Sequence, residues 1–173
     1  MRKEVKPSFD ERNFTSILHI DRNLFDFKKL RNFAKEKSLL EKPDIHVTII
    51  GRETGELIKK DIERLPDFTQ LVKKIKKLLE IQWKIYPINK TYFISKTYKE
   101  YCNEKRKSLV QFIEMPAIGG FYKKLNEILQ MNLKTPIPHV TLFANSTRKE
   151  TRLRGIGIYS KKQFKNLKPK LIK

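Results

Sequence analysis

Two short stretches of the chain alternate between apolar and polar positions in the same order. Residues 45–49 read Ile-His-Val-Thr-Ile, and residues 138–142 read Pro-His-Val-Thr-Leu. Because successive side chains of a strand point to opposite faces, each stretch predicts a strand with histidine and threonine on one face and apolar residues on the other. The chain is therefore expected to build two similar surfaces, each with an imidazole beside a hydroxyl group.

The pattern in the first half of the chain predicts the order strand, helix, strand, helix. Residues 14–20 read as a strand, and Asp21 is the expected N-cap of a helix that runs to about residue 38. A connecting segment through Gly51 and Gly55 follows the first His-Val-Thr strand. It leads to a second helix that begins near Pro66.

The second half is expected to form an antiparallel meander, a helix and two more strands. The predicted meander strands are residues 81–88, 91–101 and 107–115, with turns at 89–90 and 103–105. A helix over residues 118–131 leads through a Pro-Ile-Pro segment to the second His-Val-Thr strand, and residues 156–159 predict a final edge strand. No linker interrupts the chain, so we expect one α+β domain spanning residues 1–173.

Composition limits the classes of protein that remain. The 173 residues are 39% hydrophobic, which is enough for one core. They contain no run of about 18 apolar residues, the length that a membrane-spanning helix needs. Residues 1–7 are charged and no apolar stretch follows them, so we expect no export signal. The single Cys102 forms no internal disulfide, and no Cys and His spacing resembles a zinc site. We therefore expect a cytoplasmic monomer without a metal or other cofactor.

The net charge of +20 favours a polyanionic partner, because so large a charge works against compactness and attracts phosphates. RNA is the expected partner of this kind. A lysine-rich coding bias would produce the same excess, and many of the lysines read as solvated helix faces and a basic end. The charge thus supports a phosphate-bearing ligand without establishing one.

The paired motifs, His46-Val47-Thr48 and His139-Val140-Thr141, resemble those of the 2H phosphoesterase superfamily. That family includes bacterial RNA 2'-5' ligase-like proteins and 2',3'-cyclic phosphodiesterases. Both motifs match its pattern of His, any residue, Thr or Ser, and an apolar residue, and the order of elements is similar over most of the chain. The resemblance implies a bilobal fold, in which two pseudo-symmetric antiparallel sheets line a central cleft with helices outside.

The chemistry of these residue types agrees with what the family does. Opening a cyclic phosphodiester requires one group to take a proton while another gives one, and an imidazole with a pKa of about 6.5 suits both roles. The hydroxyls of Thr48 and Thr141 would donate to the non-bridging phosphate oxygens. His46 and His139 lie in equivalent motifs, so the sequence does not assign the acid and the base.

Other residues are weaker candidates. Arg52 and Arg148 follow the two motif strands at similar distances and are either phosphate clamps or ordinary surface arginines. Tyr98 and Tyr122 are candidates for stacking on a base, and the alternative is a place in the core or on the sheet.

Two polar residues near the motifs are expected to have structural roles. Asp44 would share the face of His46 if the strand extended that far, but we interpret it as a solvated turn carboxylate. His19 has no threonine two residues after it, so we assign it to the structure of its strand.

Three functions stay open on the sequence alone. The leading one is a metal-independent phosphodiesterase that acts on 2',3'-cyclic phosphate RNA ends or 2'-5' linkages, and the charge favours it. The second is a hydrolase of cyclic oligonucleotide immune signals, of the kind that phages use against bacteria. The third is a non-catalytic RNA-binding module, which is disfavoured because Arg and Lys would bind phosphate better than imidazoles do.

Overall fold

An antiparallel β-sheet organises the part of the chain that the structure describes. The computed structural model describes residues 6–63 and 65–172. Its strands are β1 (Ser8–Asp10), β2 (Thr15–His19), β3 (Leu40–Glu41), β4 (His46–Ile50), β5 (Tyr86–Tyr98), β6 (Glu104–Glu114), β7 (His139–Ser146) and β8 (Lys170–Ile172). Its helices are α1 (Phe27–Glu36), α2 (Arg52–Ile62), α3 (Phe68–Leu79), α4 (Ala117–Leu129) and α5 (Lys161–Asn166). The predicted α+β class is confirmed.

The strands of this sheet follow the order β1-β2-β4-β7-β6-β5-β8, and β3 also pairs with β7. The sequence predicts two sheets, whereas the described residues form one sheet of eight strands. The two motif strands are the reason, because β4 and β7 pair directly through Val47 and Val140. That pair joins the first half of the sheet to the second.

The two faces of the sheet are covered differently. On one face, the helix face, apolar residues of the central strands pack in a core with α1 to α4. On the other face, a smaller cluster joins Ile94 and Val110 to Ile156 and Ile158, with Phe164 of α5 packed against it. Val47 and Val140 are fully buried on the helix face, so the motif histidines and threonines belong to the opposite face.

Helix α2 occupies the segment that the sequence predicts as a connection. The two glycines that suggested a loop have other roles. Gly51 is the N-cap of α2, and Gly55 packs so closely that an added Cβ would lie 2.3 Å from the carbonyl oxygen of Asn13. Tertiary contact, not a turn, therefore requires glycine at position 55.

Three further predictions are wrong in detail. The predicted turn at residues 89–90 is an irregularity within β5, where the register with β6 shifts between Pro87 and Thr91. Residues 156–159 form no strand, and the edge strand is β8. Asp21 caps a short 3₁₀ turn, Arg22–Leu24, and α1 begins later with Asp26 as its N-cap.

Residues 1–5, part of the segment from which we expect no export signal, lie outside the described residues. Within residues 6–63 and 65–172, no helix is long and apolar enough to cross a membrane.

Candidate active site

All four motif side chains line one pocket on the face opposite the main core. The pocket has a volume of about 170 Å³. Its lining residues are Lys42, His46, Thr48, His139, Thr141, Gly155, Ile156 and Gly157. Because antiparallel β4 and β7 are paired at Val47 and Val140, the register brings each motif histidine opposite the other motif's threonine. The two imidazoles therefore lie diagonally across one small site.

His46 is held by a carboxylate. Its Nδ1 lies 2.8 Å from Oδ2 of Asp44, and the other oxygen of Asp44 lies 2.7 Å from Nδ1 of His19. Burial opposes ionisation of Asp44, but the hydrogen bonds from His19 and His46 outweigh it, so the pKa of Asp44 is lowered. An ionised carboxylate only accepts, so Nδ1 of His46 carries the hydrogen and Nε2 is the nitrogen left for the pocket.

His139 is held by the backbone. Its Nδ1 donates to the carbonyl oxygen of Ile137 at 2.9 Å, and the carbonyl of Ile156 is a second backbone acceptor beside the ring. Burial lowers the pKa of His139, and the carbonyls of Ile137 and Ile156 only partly oppose this effect. Burial also lowers the pKa of His46, but there the negative charge of Asp44 acts in the opposite direction.

The two equivalent motifs are thus electrostatically different. His46 has an anionic partner that stabilises an imidazolium, whereas the hydrogen-bond partners of His139 are neutral backbone carbonyls. A proton shared between the two rings is better placed on His46. The structure supplies an asymmetry between the two imidazoles that the sequence does not contain.

A glycine-containing segment crosses the face of the sheet that carries the pocket. Residues 152–160, here called the strap, bury Ile156 and Ile158 and line the pocket at Gly155 and Gly157. A Cβ at Gly155 would lie 2.6 Å from Oγ1 of Thr141. Only glycine lets the strap pass this close to Thr141 without moving its hydroxyl.

Both ends of the strap are tied to the fold. At the N-terminal end of the strap, Thr151 donates to the buried carboxylate of Glu104, which also accepts from Arg106 and Ser146. Hydrogen bonds from Arg106 hold the pKa of Glu104 far below its usual range. At the C-terminal end of the strap, the side chain of Gln163 on α5 accepts from the amide of Tyr159 at 2.7 Å and donates to the carbonyl of Gly157 at 3.3 Å.

The weaker candidates from the sequence do not line the pocket. Arg52 is exposed and pairs with Glu56 one turn along α2. Nε of Arg148 lies 3.7 Å from Oε2 of Glu150. Tyr122 is 1% exposed, and its hydroxyl donates to the carbonyl of Ile49. Tyr122 therefore has the place in the core that the sequence left open as the alternative to stacking on a base.

Tyr98 is half-buried and its ring is covered by cations. Nζ of Lys96 and Cζ of Arg106 each lie 4.3 Å from the ring centroid. These contacts compete with a base for the ring, so its position does not favour stacking on a substrate.

Sequence reasoning missed several residues that build the site. Asp44 is more than a turn carboxylate, and His19 is its second partner. The signal for Asp44 was present, since it lies two residues before His46 and so on the same face. Lys42 and Gly155 carry no such signal, because only the fold brings them to the motifs.

No group of three or more His, Cys, Asp or Glu side chains is arranged to hold a metal ion in residues 6–63 and 65–172. No family model matches the chain, and neither a curated protein nor a solved structure matches it. The interpretation of the pocket therefore rests on its geometry and on the motif residues.

Replacing Asp44 by Asn should lower the pKa of His46, because the variant loses the negative charge that stabilises the imidazolium. NMR titration of the imidazole resonances measures the effect directly. The pKa of His139 should change little, since its partners are backbone carbonyls. The matched control is Asp61→Asn, an exposed carboxylate on α2. An unchanged or raised pKa of His46 in Asp44→Asn would show that Asp44 does not favour the imidazolium.

Proposed function

We propose that the protein is a metal-independent phosphodiesterase that opens the 2',3'-cyclic phosphate at RNA ends, its leading substrate, or acts on 2'-5' linkages. The observation that carries this proposal is the pairing of two imidazoles in one pocket, each held through a hydrogen bond at Nδ1. Two proton-transfer groups on opposite sides of a small anion suit an in-line displacement.

The asymmetry of the two histidines suggests their roles. His139 begins neutral, and its Nε2 takes a proton from a water molecule as the water oxygen bonds to phosphorus. The bond from phosphorus to the opposite ring oxygen then breaks, and that oxygen receives the proton from Nε2 of His46, which begins as an imidazolium. The products are a phosphomonoester and a free hydroxyl. One proton is accepted and one is given in each turnover.

The two motif threonines would act on the remaining phosphate oxygens. The hydroxyls of Thr48 and Thr141 line the pocket between the imidazoles, so they can donate to non-bridging oxygens as negative charge builds there. Such donors are most useful when they are fixed before the reaction. The strap fixes Thr141, since Gly155 packs directly against its hydroxyl.

We further propose that the sheet has the bilobal organisation of 2H phosphoesterases. Each motif strand follows a strand and a helix, as β2, α1 and β4 in one half and β6, α4 and β7 in the other. In the described residues, the first half of the chain is joined to β7 by two residue pairs from β3 and one from β4, which is consistent with two lobes that meet at the site. A cytoplasmic monomer that acts on RNA, or on a cyclic oligonucleotide, completes the proposal.

Replacing either His46 or His139 by Ala should reduce turnover about 100- to 10,000-fold, the usual contribution of a general acid or base. Hydrolysis of an oligoribonucleotide that ends in a 2',3'-cyclic phosphate, measured in excess chelator, tests both the histidines and the absence of a metal requirement. Melting temperatures should stay close to that of the unmodified protein, because both side chains lie outside the main core.

Asp61→Ala is the matched control for these variants, because Asp61 is an exposed residue of α2 and lies outside the pocket. This control should lower turnover by less than about tenfold, well below the loss expected when a proton-transferring side chain is removed. Near-normal activity in either pocket variant, or loss of all activity in chelator, would contradict the two-histidine reaction. Specific RNA binding without any turnover would favour the non-catalytic module.

Chain length and salt should separate the two substrate classes. If the charge of +20 holds RNA, kcat/KM for an oligoribonucleotide with a cyclic phosphate end should exceed that for the matching mononucleotide. The difference should shrink as salt rises, because each phosphate contact releases counterions on binding. Efficient hydrolysis of cyclic di- or trinucleotides with RNA ends untouched at low salt would instead favour the immune-signal substrate.

A further inference from the structure

A lysine that belongs to neither motif lies in the pocket. Lys42 directly follows β3, and its amide donates to the carbonyl of Leu142 at 2.9 Å. The backbone at position 42 is thereby fixed beside β7, next to the second motif. Its side chain lines the same pocket as the two histidines and the two threonines.

The ammonium group of Lys42 makes no ion pair with the described residues, although the carboxylate of Asp44 is near enough to affect its pKa. It donates to the carbonyl of Leu153 on the strap at 3.2 Å. The nearby carboxylate of Asp44 directs one oxygen to His19 and the other to His46. Lys42 therefore has N–H groups and a positive charge to offer to an anion in the pocket.

The charge of Lys42 already acts on the site. It lowers the pKa of His46, although burial lowers it more. Burial also lowers the pKa of Lys42 itself, and Asp44 opposes that change. The carboxylate of Asp44 thus favours the charged form of Lys42.

The proposed reaction leaves a task that the motif residues do not perform. As water adds to phosphorus, negative charge grows on the non-bridging oxygens, and the threonine hydroxyls that face them are neutral. One imidazole gives up its positive charge while the other acquires it. A cation that neither gains nor loses a proton would stabilise the charge throughout the step.

We propose that Lys42 is a fifth catalytic residue, whose ammonium group contacts a non-bridging phosphate oxygen and stabilises the negative charge of the transition state. This inference rests on the proposed function, since it names the group that recognises the phosphate in that site. Lys42 takes part in no proton transfer. Its bond to Leu153 gives it a second effect, because it ties the strap to the edge of the pocket.

Binding of inorganic phosphate tests the inference without any turnover. Phosphate should shift the imidazole resonances of His46 and His139 in the unmodified protein, and Lys42→Met should weaken its affinity about 10- to 100-fold, the range expected for a hydrogen bond between charged groups. Lys42→Arg keeps the charge and should retain most of the affinity. Lys77→Met, on an exposed face of α3, is the matched control and should bind as the unmodified protein does.

The same samples distinguish a charge effect from a purely structural one. Lys42→Met should raise the pKa of His46 in an NMR titration, because the repelling cation is gone, whereas Lys77→Met should not. With a cyclic phosphate substrate, Lys42→Met should lower kcat more than it raises KM. Lys42→Arg should restore most of that loss in kcat.

Equal phosphate affinity in the unmodified protein and in a folded Lys42→Met variant would overturn the inference. So would an unchanged pKa of His46 in that variant. If Lys42→Met loses phosphate affinity but the unmodified protein hydrolyses no cyclic phosphate, the anion contact of Lys42 stands and the proposed function fails.

Discussion

The pairing of β4 with β7 is the constraint on which the site depends. Side chains alternate along a strand, so fixing Val47 opposite Val140 on the helix face places both histidines and both threonines on the other face. A shift of one residue in the register of either strand would turn its motif histidine and threonine toward the core. Burial of the two valines and their neighbours opposes such a shift, because it would place an imidazole and a hydroxyl among the core side chains. The packing of one face thus specifies the chemistry of the other.

Identical motifs acquire different properties from their surroundings. His46 meets an ionised carboxylate that favours its protonated form, and His139 meets a neutral backbone carbonyl, although their local sequences match. Asp44 keeps this role because it is itself held ionised by two histidines. The strap adds a wall that only glycine allows so near to Thr141. Position and charge, rather than motif identity, divide the proposed work between the residues.

The sequence predicted the two motif strands and their exposed faces correctly, because strict alternation of apolar and polar residues determines both. It failed where distant contacts decide the outcome. Gly55 read as a loop residue, but it is a helix residue selected by the backbone of Asn13. The two predicted sheets are one sheet because β4 pairs with β7. The local sequence of neither strand reveals that pairing. The roles of Lys42 and Gly155 likewise depend on contacts across the fold.

The most direct test of two imidazoles that act in opposite protonation states is the dependence of kcat/KM on pH. For a cyclic phosphate substrate in chelator, the rate should follow a bell-shaped curve, because one ring must be neutral and the other protonated. Both limbs should fall below the range of an unperturbed lysine or tyrosine, since burial lowers the pKa of each histidine. A rate that rises steadily to high pH would contradict the two-histidine reaction and point to hydroxide or a metal-bound water as the nucleophile.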